Sequence, residues 1–169
     1  MRHRVAIGLG ANLPSPAGAP EATLRAAMDE LGAAGRVTAR SSLYRTEPVG
    51  VIAQPAFVNA AALLETELEP EALLKFLLAV ERRYGRDRGS DPPKGPRTLD
   101  LDLLLVDDLA LRTPKLTLPH PALAQRRFVL EPLKEIAPEW RVLGRTVAEL
   151  LAALPAEGPN RKDAVRKLE

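Results

Sequence analysis

Asp100 and Asp102 stand two residues apart inside the leucine-rich stretch RTLDLDLLLVDD, residues 97–108. In an extended chain successive side chains point to opposite faces, so the two carboxylates share one face, with Cα atoms roughly 7 Å apart. Leu99, Leu101, Leu103 and Leu105 are predicted to share the other face. Two anions that close raise each other's protonation cost unless a positive charge lies between them, and hard cations such as Mg²⁺ take oxygen ligands of this kind. A metal site is one reading of the pair. The solvated face of an edge strand is the other, because D-x-D alone is a weak motif.

Arginine is unevenly placed around these residues. Arg82, Arg83, Arg86, Arg88 and Arg97 bracket a proline-rich loop, residues 85–96, while Arg126 and Arg127 follow His120. A planar guanidinium grips phosphate oxygens bidentately and stays charged at any physiological pH. Arg97, three residues before Asp100, is within reach of whatever the aspartates bind; Arg82 and Arg83 read as solvated charge on a helix end. Phe57 and Asn59 share a strand face and offer a flat ring beside an amide, which suits a planar heterocycle, although Phe57 taken alone also fits a core position. His120, framed by prolines in LPHPA, reads as a neutral surface histidine or a phosphate contact, and His3 as a surface residue.

The elements that position these groups follow from periodicity. Residues 3–9, 36–44, 57–64 and the leucine-rich stretch read as strands. Leu24, Ala27, Met28 and Leu31 recur at helical spacing, as do Leu73, Leu77, Val80 and Tyr84 between Pro70 and Gly85. Shorter helices are predicted near 130–136 and 147–154, the second opened by Thr146 and Glu149 in capping-box spacing. The charged segment 156–169 is predicted to fray. The order is that of an α+β fold, a ferredoxin-like βαββαβ antiparallel sheet with both helices on one face and additional C-terminal helices.

With 169 residues, 46% of them hydrophobic, a single domain over residues 1–169 is expected. The 24 basic and 22 acidic residues nearly cancel, so no broad basic face for nucleic acid is expected. The absence of cysteine excludes disulfides and thiolate metal sites. No apolar run approaches the roughly 20 residues that span a bilayer, and residues 1–10 do not read as a signal peptide, so a cytoplasmic protein is expected, without membrane attachment.

In GPRTLDLDLLL (95–105), GANL (10–13), YRTEPVG (44–50), QPAFVNAA (54–61), ERRYGR (81–86) and LPHPALAQRRFVLEPL (118–133), the sequence resembles the 6-hydroxymethyl-7,8-dihydropterin pyrophosphokinases of folate biosynthesis, motif by motif and in the same order. The resemblance implies Mg²⁺-dependent transfer of pyrophosphate from ATP to the hydroxymethyl oxygen of the pterin, with AMP leaving. It implies that Asp100 and Asp102 hold two Mg²⁺ ions. It implies that Arg86, Arg88, Arg97, His120 and Arg126 contact the phosphates, with Arg86 and Arg97 in the catalytic set, and that Glu81 lines the nucleotide side. Thr46, Val49, Phe57, Asn59 and Phe128 would form the pterin pocket, and the loops 46–54 and 85–96 would be its lids. A monomer is expected.

Four positions depart from the family pattern: Pro93 and Lys94 where a basic residue and often a tryptophan precede Gly-Pro-Arg, Ala11 for a serine, and Pro121 for a tyrosine. Residues 141–169 carry no motif and are assigned a packing role. An RNA recognition motif of the same element order needs stacked aromatics, which a chain with 4% aromatic residues and no such stretch does not supply. A non-catalytic ligand-binding or regulatory domain of ferredoxin-like fold is the remaining alternative, and it would have no use for two carboxylates beside a phosphate-suited arginine set.

Overall fold

The computed structural model describes residues 1–47, 53–87, 89 and 95–168. Val5, Ile7 and Leu9 alternate along β1 (His3–Ala11) and are buried on one face. Pro20 opens α1 (Pro20–Glu30) at a position where its missing N–H would have had no partner, and Leu24, Ala27 and Met28 form its buried stripe. Pro70 likewise opens α2 (Pro70–Arg83), whose buried stripe is Leu73, Leu77, Val80 and Glu81. Gly85, at φ 89°, ends α2 in the left-handed conformation that glycine adopts without a steric penalty.

Among the described residues the main sheet has six strands. β4 (Phe57–Thr66) runs antiparallel to β1 from His3 opposite Thr66 to Ala11 opposite Val58, and β5 (Asp100–Val106) runs antiparallel along the other side of β1. β2 (Arg36–Arg40) and β3 (Tyr44–Thr46) both pair with β4. The predicted single strand 36–44 is therefore two. At the break Ser41 N–H donates to Ala61 O at 2.9 Å while Ser41 Oγ accepts Ala61 N–H at 2.8 Å, so a side chain replaces one rung of the ladder. Two hairpins, β6 (Leu111–Arg112) with β7 (Thr117–Leu118) and β8 (Arg141–Val142) with β9 (Arg145–Thr146), flank α3 (Arg127–Ile136). Thr146 and Glu149 cap α4 (Val147–Ala152) as the capping-box spacing predicts, with reciprocal bonds of 3.1 and 3.0 Å.

The sheet buries both faces. α1 and α2 cover the face carrying Val5, Ile7, Leu9, Leu101 and Leu103, as expected for a ferredoxin-like sheet. α3 and α4 cover Ala6, Ala61, Leu63, Leu104 and Leu105 on the other. Leu105 was expected on the first face; the register against β1 shifts between Ala6 and Ile7, so Leu104 is an extra residue and Leu105 is turned over. His3 was expected at the surface but is buried, with Nδ1 2.7 Å from Asp107 Oδ2 and Nε2 3.2 Å from Glu69 Oε1. The segment expected to fray instead ends in β10 (Val165–Lys167), which pairs with β3 and completes the order β10, β3, β4, β1, β5. No described helix is long and apolar enough to cross a membrane.

Candidate active site

The second face of the sheet changes character along its strands. Its apolar end lies under α3 and α4, and its other end carries Gly8, Gly10, Asn59, Asp100 and Asp102. Gly10 sits between Asn59 on β4 and Asp100 on β5, and Gly8 between Ala61 and Asp102. A β-carbon on Gly10 would lie 2.8 Å from Asn59 Oδ1, and one on Gly8 would lie 3.3 Å from a Leu104 methyl. The central strand is thus a glycine floor over which the Asn59 amide and the Leu104 side chain close in, with the amide on one bank and two carboxylates on the other.

Arginines compensate the carboxylates. Arg97 Nη1 donates to Asp100 Oδ2 at 3.3 Å, and its Nε donates to Gly95 O at 3.1 Å. Arg86, just past the Gly85 turn and largely buried, reaches Asp100 Oδ1 at 3.4 Å and Leu99 O at 3.3 Å. The Arg97 guanidinium also lies 6.0 Å from the centre of the Phe57 ring, so the predicted heterocycle surface and the predicted phosphate surface meet at one side chain. Asn59 is buried and donates to Thr46 Oγ1 at 2.8 Å, which locks its amide and ties β3 to β4.

A third wall comes from the chain after β7. The His120 N–H donates to Leu104 O at 2.9 Å and holds the imidazole beside β5. Burial, reinforced by the Arg126 charge and opposed by Asp100, holds the His120 pKa below the ordinary imidazole value. Its Nδ1 accepts the Ala122 N–H at 3.2 Å, so the neutral ring carries its proton on Nε2 and can donate from there. Arg126 stacks 5.5 Å from the centre of the Phe128 ring at the start of α3. Tyr44 of β3 donates to Glu135 of α3 at 2.7 Å, tying these two walls together.

Arg86, Arg97, Asp100, Asp102, Asn59, Phe57 and Thr46 thus converge on one end of one sheet face, and His120 reaches Asp100 and Arg126 electrostatically. Glu81 lies apart. It is only 1% exposed, and its Oε2 accepts the Leu101 N–H at 2.7 Å along the outer edge of β5. Its described contact is thus with the β5 backbone between the two aspartates. Arg88, Val49, Pro93 and Lys94 lie outside the described residues. Arg83 makes a surface ion pair with Glu30, in keeping with its reading as solvated charge.

Two features were missed. One is the glycine floor, visible only as two glycines at alternate positions of an apolar run. The other is Asn12, almost fully buried, which donates to Gln54 Oε1 at 2.9 Å and to Pro55 O at 3.0 Å while accepting the Arg97 N–H at 2.8 Å. Asn12 joins the end of β1, the approach to β4 and the approach to β5. Its position directly after the glycine strand was the available signal.

Two strand carboxylates, arginines fixed against them and an aromatic ring beside a locked amide make this a ferredoxin-like domain suited to hold a polyanion next to a flat polar ring. Residues 6–138 match the profile of the 7,8-dihydro-6-hydroxymethylpterin-pyrophosphokinase family, and the chain belongs to that family. The 2-amino-4-hydroxy-6-hydroxymethyldihydropteridine pyrophosphokinase of Pseudomonas aeruginosa is 45% identical over 164 residues, covering 95% of this chain and 98% of the relative. The enzyme of the same name from Bacillus subtilis is 42% identical over 132 residues, 77% of this chain and 75% of its own. The fold also matches the crystal structure of wild-type Plasmodium falciparum HPPK-DHPS at a TM-score of 0.73 and 15% identity. There it covers 99% of this chain but 47% of the longer Plasmodium chain.

Proposed function

We propose that this protein transfers the pyrophosphoryl group of ATP to the hydroxymethyl oxygen of 6-hydroxymethyl-7,8-dihydropterin in folate biosynthesis. The hydroxymethyl oxygen attacks the β-phosphorus. The bond from that phosphorus to the α,β-bridging oxygen breaks, AMP leaves with that oxygen, and the hydroxyl proton is lost to solvent. The observation that carries this reading is Asp100 and Asp102 on a glycine-floored sheet face, with Arg86 and Arg97 already fixed against Asp100.

The donor set fits a hard divalent cation. Two carboxylates on alternate residues supply oxygen ligands of the kind a hard divalent cation takes. Asp100 and Asp102 would hold Mg²⁺, which when bound neutralises the triphosphate and stabilises charge developing on the transferred group. Two ions are the proposed number. Transfer of this kind is mostly positioning and charge stabilisation. Arg86, Arg97 and Arg126 supply fixed positive charge, and His120 supplies a neutral Nε2–H donor. Phe57 and Phe128 offer ring faces to the pterin, while Asn59, held by Thr46, meets its hydrogen-bonding edge. We place the reaction in the cytoplasm and take the chain to act as a monomer, which a sedimentation measurement returning a dimer mass would overturn.

The test follows AMP release from ATP and the pterin, with and without Mg²⁺, for wild type and Asp102→Ala. Turnover should require pterin and metal. The substitution should lower it on the order of 10³-fold or more, the equivalent of several kcal/mol of lost charge stabilisation. A wild type that releases no AMP, or an Asp102→Ala variant that matches it, rejects the assignment.

A further inference from the structure

Residues 158–168 lie beyond the segment that matches the family profile. We propose that they form a staple that positions two walls of the active site, with Asn160 as its positioning residue. This rests on the assignment of Arg126, Phe128 and Thr46 to the site.

Asn160 commits three polar groups to the turn that starts α3. Its Oδ1 accepts the Arg127 N–H at 3.0 Å, its Nδ2 donates to Gln125 O at 3.0 Å, and its main-chain O accepts Arg127 Nε at 2.7 Å. Residues 125–127 are therefore gripped on both sides of Arg126, and Phe128 follows directly. The local sequence explains why an outside partner is needed. The first amides of a helix lack intrahelical acceptors, and a short polar side chain at the N-cap usually supplies one. Here the N-cap residue is Arg126, whose guanidinium can only donate, and α3 makes no side-chain cap of its own. Asn160 supplies the acceptor from outside. The Arg126 guanidinium, which cannot cap, lies over the Phe128 ring instead.

Arg127 is the post to which the staple is fixed. It is 3% exposed, its Nε engages Asn160, and its Nη1 donates to Glu131 at 3.2 Å. A buried guanidinium is tolerated only when its donors are satisfied, and these partners hold it within the protein rather than toward substrate.

The other arm begins after one turn of 3₁₀ helix, Lys162–Ala164. β10 adds itself to the outer edge of β3, with Val165 opposite Thr46 and Lys167 opposite Tyr44. Ala164 O accepts the Glu47 N–H at 3.0 Å, and Leu168 N–H donates to Leu43 O at 2.7 Å. β3 is three residues long and ends at Thr46, the residue that locks the Asn59 amide. Without β10 it would be a short edge strand held on one side only. One segment thus fixes Arg126 and Phe128 at the start of α3 and Thr46 on β3 relative to each other.

The test uses full-length wild type, Asn160→Ala and Asn160→Asp, with steady-state kinetics for ATP and 6-hydroxymethyl-7,8-dihydropterin and amide hydrogen exchange over residues 125–130 and 5–9. Loss of two side-chain hydrogen bonds should raise both KM values about tenfold in Asn160→Ala, and raise exchange over 125–130 by a similar factor, with 5–9 unchanged. Asn160→Asp keeps the Oδ1 acceptor and should stay within about threefold of wild type. A variant whose melting temperature falls while its KM values and its exchange over 125–130 stay at wild type would show mere packing and overturn the proposal. If Asn160→Ala does not fold, Asn160→Ser, whose shorter side chain reaches neither the Arg127 N–H nor Gln125 O, carries the same test, and wild-type KM values and exchange there overturn it equally. If wild type turns over no pterin, the functional reading fails by itself, and exchange over 125–130 still decides the staple.

Discussion

Gly10→Ala tests whether the missing side chain at Gly10 is what positions the Asn59 amide, the group proposed to meet the pterin edge. The added β-carbon would lie 2.8 Å from Asn59 Oδ1, where ordinary contact begins at 3.4 Å, so the amide must retreat by about 0.6 Å. The Asn59 Nδ2 to Thr46 Oγ1 bond, now 2.8 Å, cannot absorb that displacement and keep good geometry. Leaving a buried amide poorly bonded costs about 1–3 kcal/mol, and replacing a strand glycine by alanine returns about 0.5–1 kcal/mol. The net loss, up to about 2.5 kcal/mol, corresponds to a fall in melting temperature of up to roughly 10 °C for a chain of this size. The functional effect should be larger, because a displaced hydrogen-bonding edge misaligns the pterin: its KM should rise about 10- to 100-fold, with the ATP KM within about threefold. Gly8→Ala is the internal control. Its β-carbon would meet the Leu104 side chain, nearest at 3.3 Å, which a shift of a few tenths of an ångström in that side chain relieves, and the pterin KM should stay within about threefold. Steady-state kinetics on both variants decide the matter. A Gly10→Ala enzyme with wild-type pterin KM, or two variants with equal defects, would refute the reasoning.

Two further outcomes follow from groups the sequence reading placed elsewhere. The His3 pKa is raised, first by its bond to Asp107 and then by Glu69, against burial, so its stabilisation is fully present below the unfolded value of 6.5 and is lost as pH rises through the higher folded value. Urea midpoints between about pH 6 and 9 should therefore decline for wild type and be flatter for His3→Gln; parallel curves would remove the claim. Glu81→Ala should cost about 2 kcal/mol by stranding the Leu101 N–H between Asp100 and Asp102, and should weaken the Mg²⁺ dependence of turnover, whereas Glu81→Gln, which keeps an acceptor, should lose less than half of that. Denaturant titration with metal titration checks both, and an unchanged Glu81→Ala would sink the assignment.

Much of the scaffold was legible locally. The stripes of α1 and α2, the helix stop at Gly85 and the capping box of α4 follow from spacing within one element, because a helix face is set by residues three and four apart. The pairing of Asp100 with Asp102 on one face follows from strand alternation in the same way. The candidate site residues were named through ordered motifs, and the strands bring Thr46, Phe57, Asn59, Asp100 and Asp102 to one face, with Arg86 and Arg97 against Asp100. Glu81 shares the helical stripe of Leu77 and Val80, and only the neighbouring β5 edge shows that its carboxylate has a backbone amide to accept.

What tertiary structure alone decided concerns partners distant in sequence. The bulge at Leu104 depends on register against β1, so no pattern within β5 could reveal that Leu105 changes face. The burial of His3 depends on Asp107 and Glu69 arriving beside it. The charged C-terminal segment has the composition of a fraying tail, yet the open edge of β3 and the uncapped start of α3 give its backbone and Asn160 hydrogen-bond partners. Sequence by itself determined the main helices, most of the strands and the family, and it placed the two carboxylates on one strand face, since each rests on local spacing. The glycine floor, the locked amide and the staple were decided only when strands paired, because a side chain's free energy depends on what lies across from it as well as on what lies beside it in the chain.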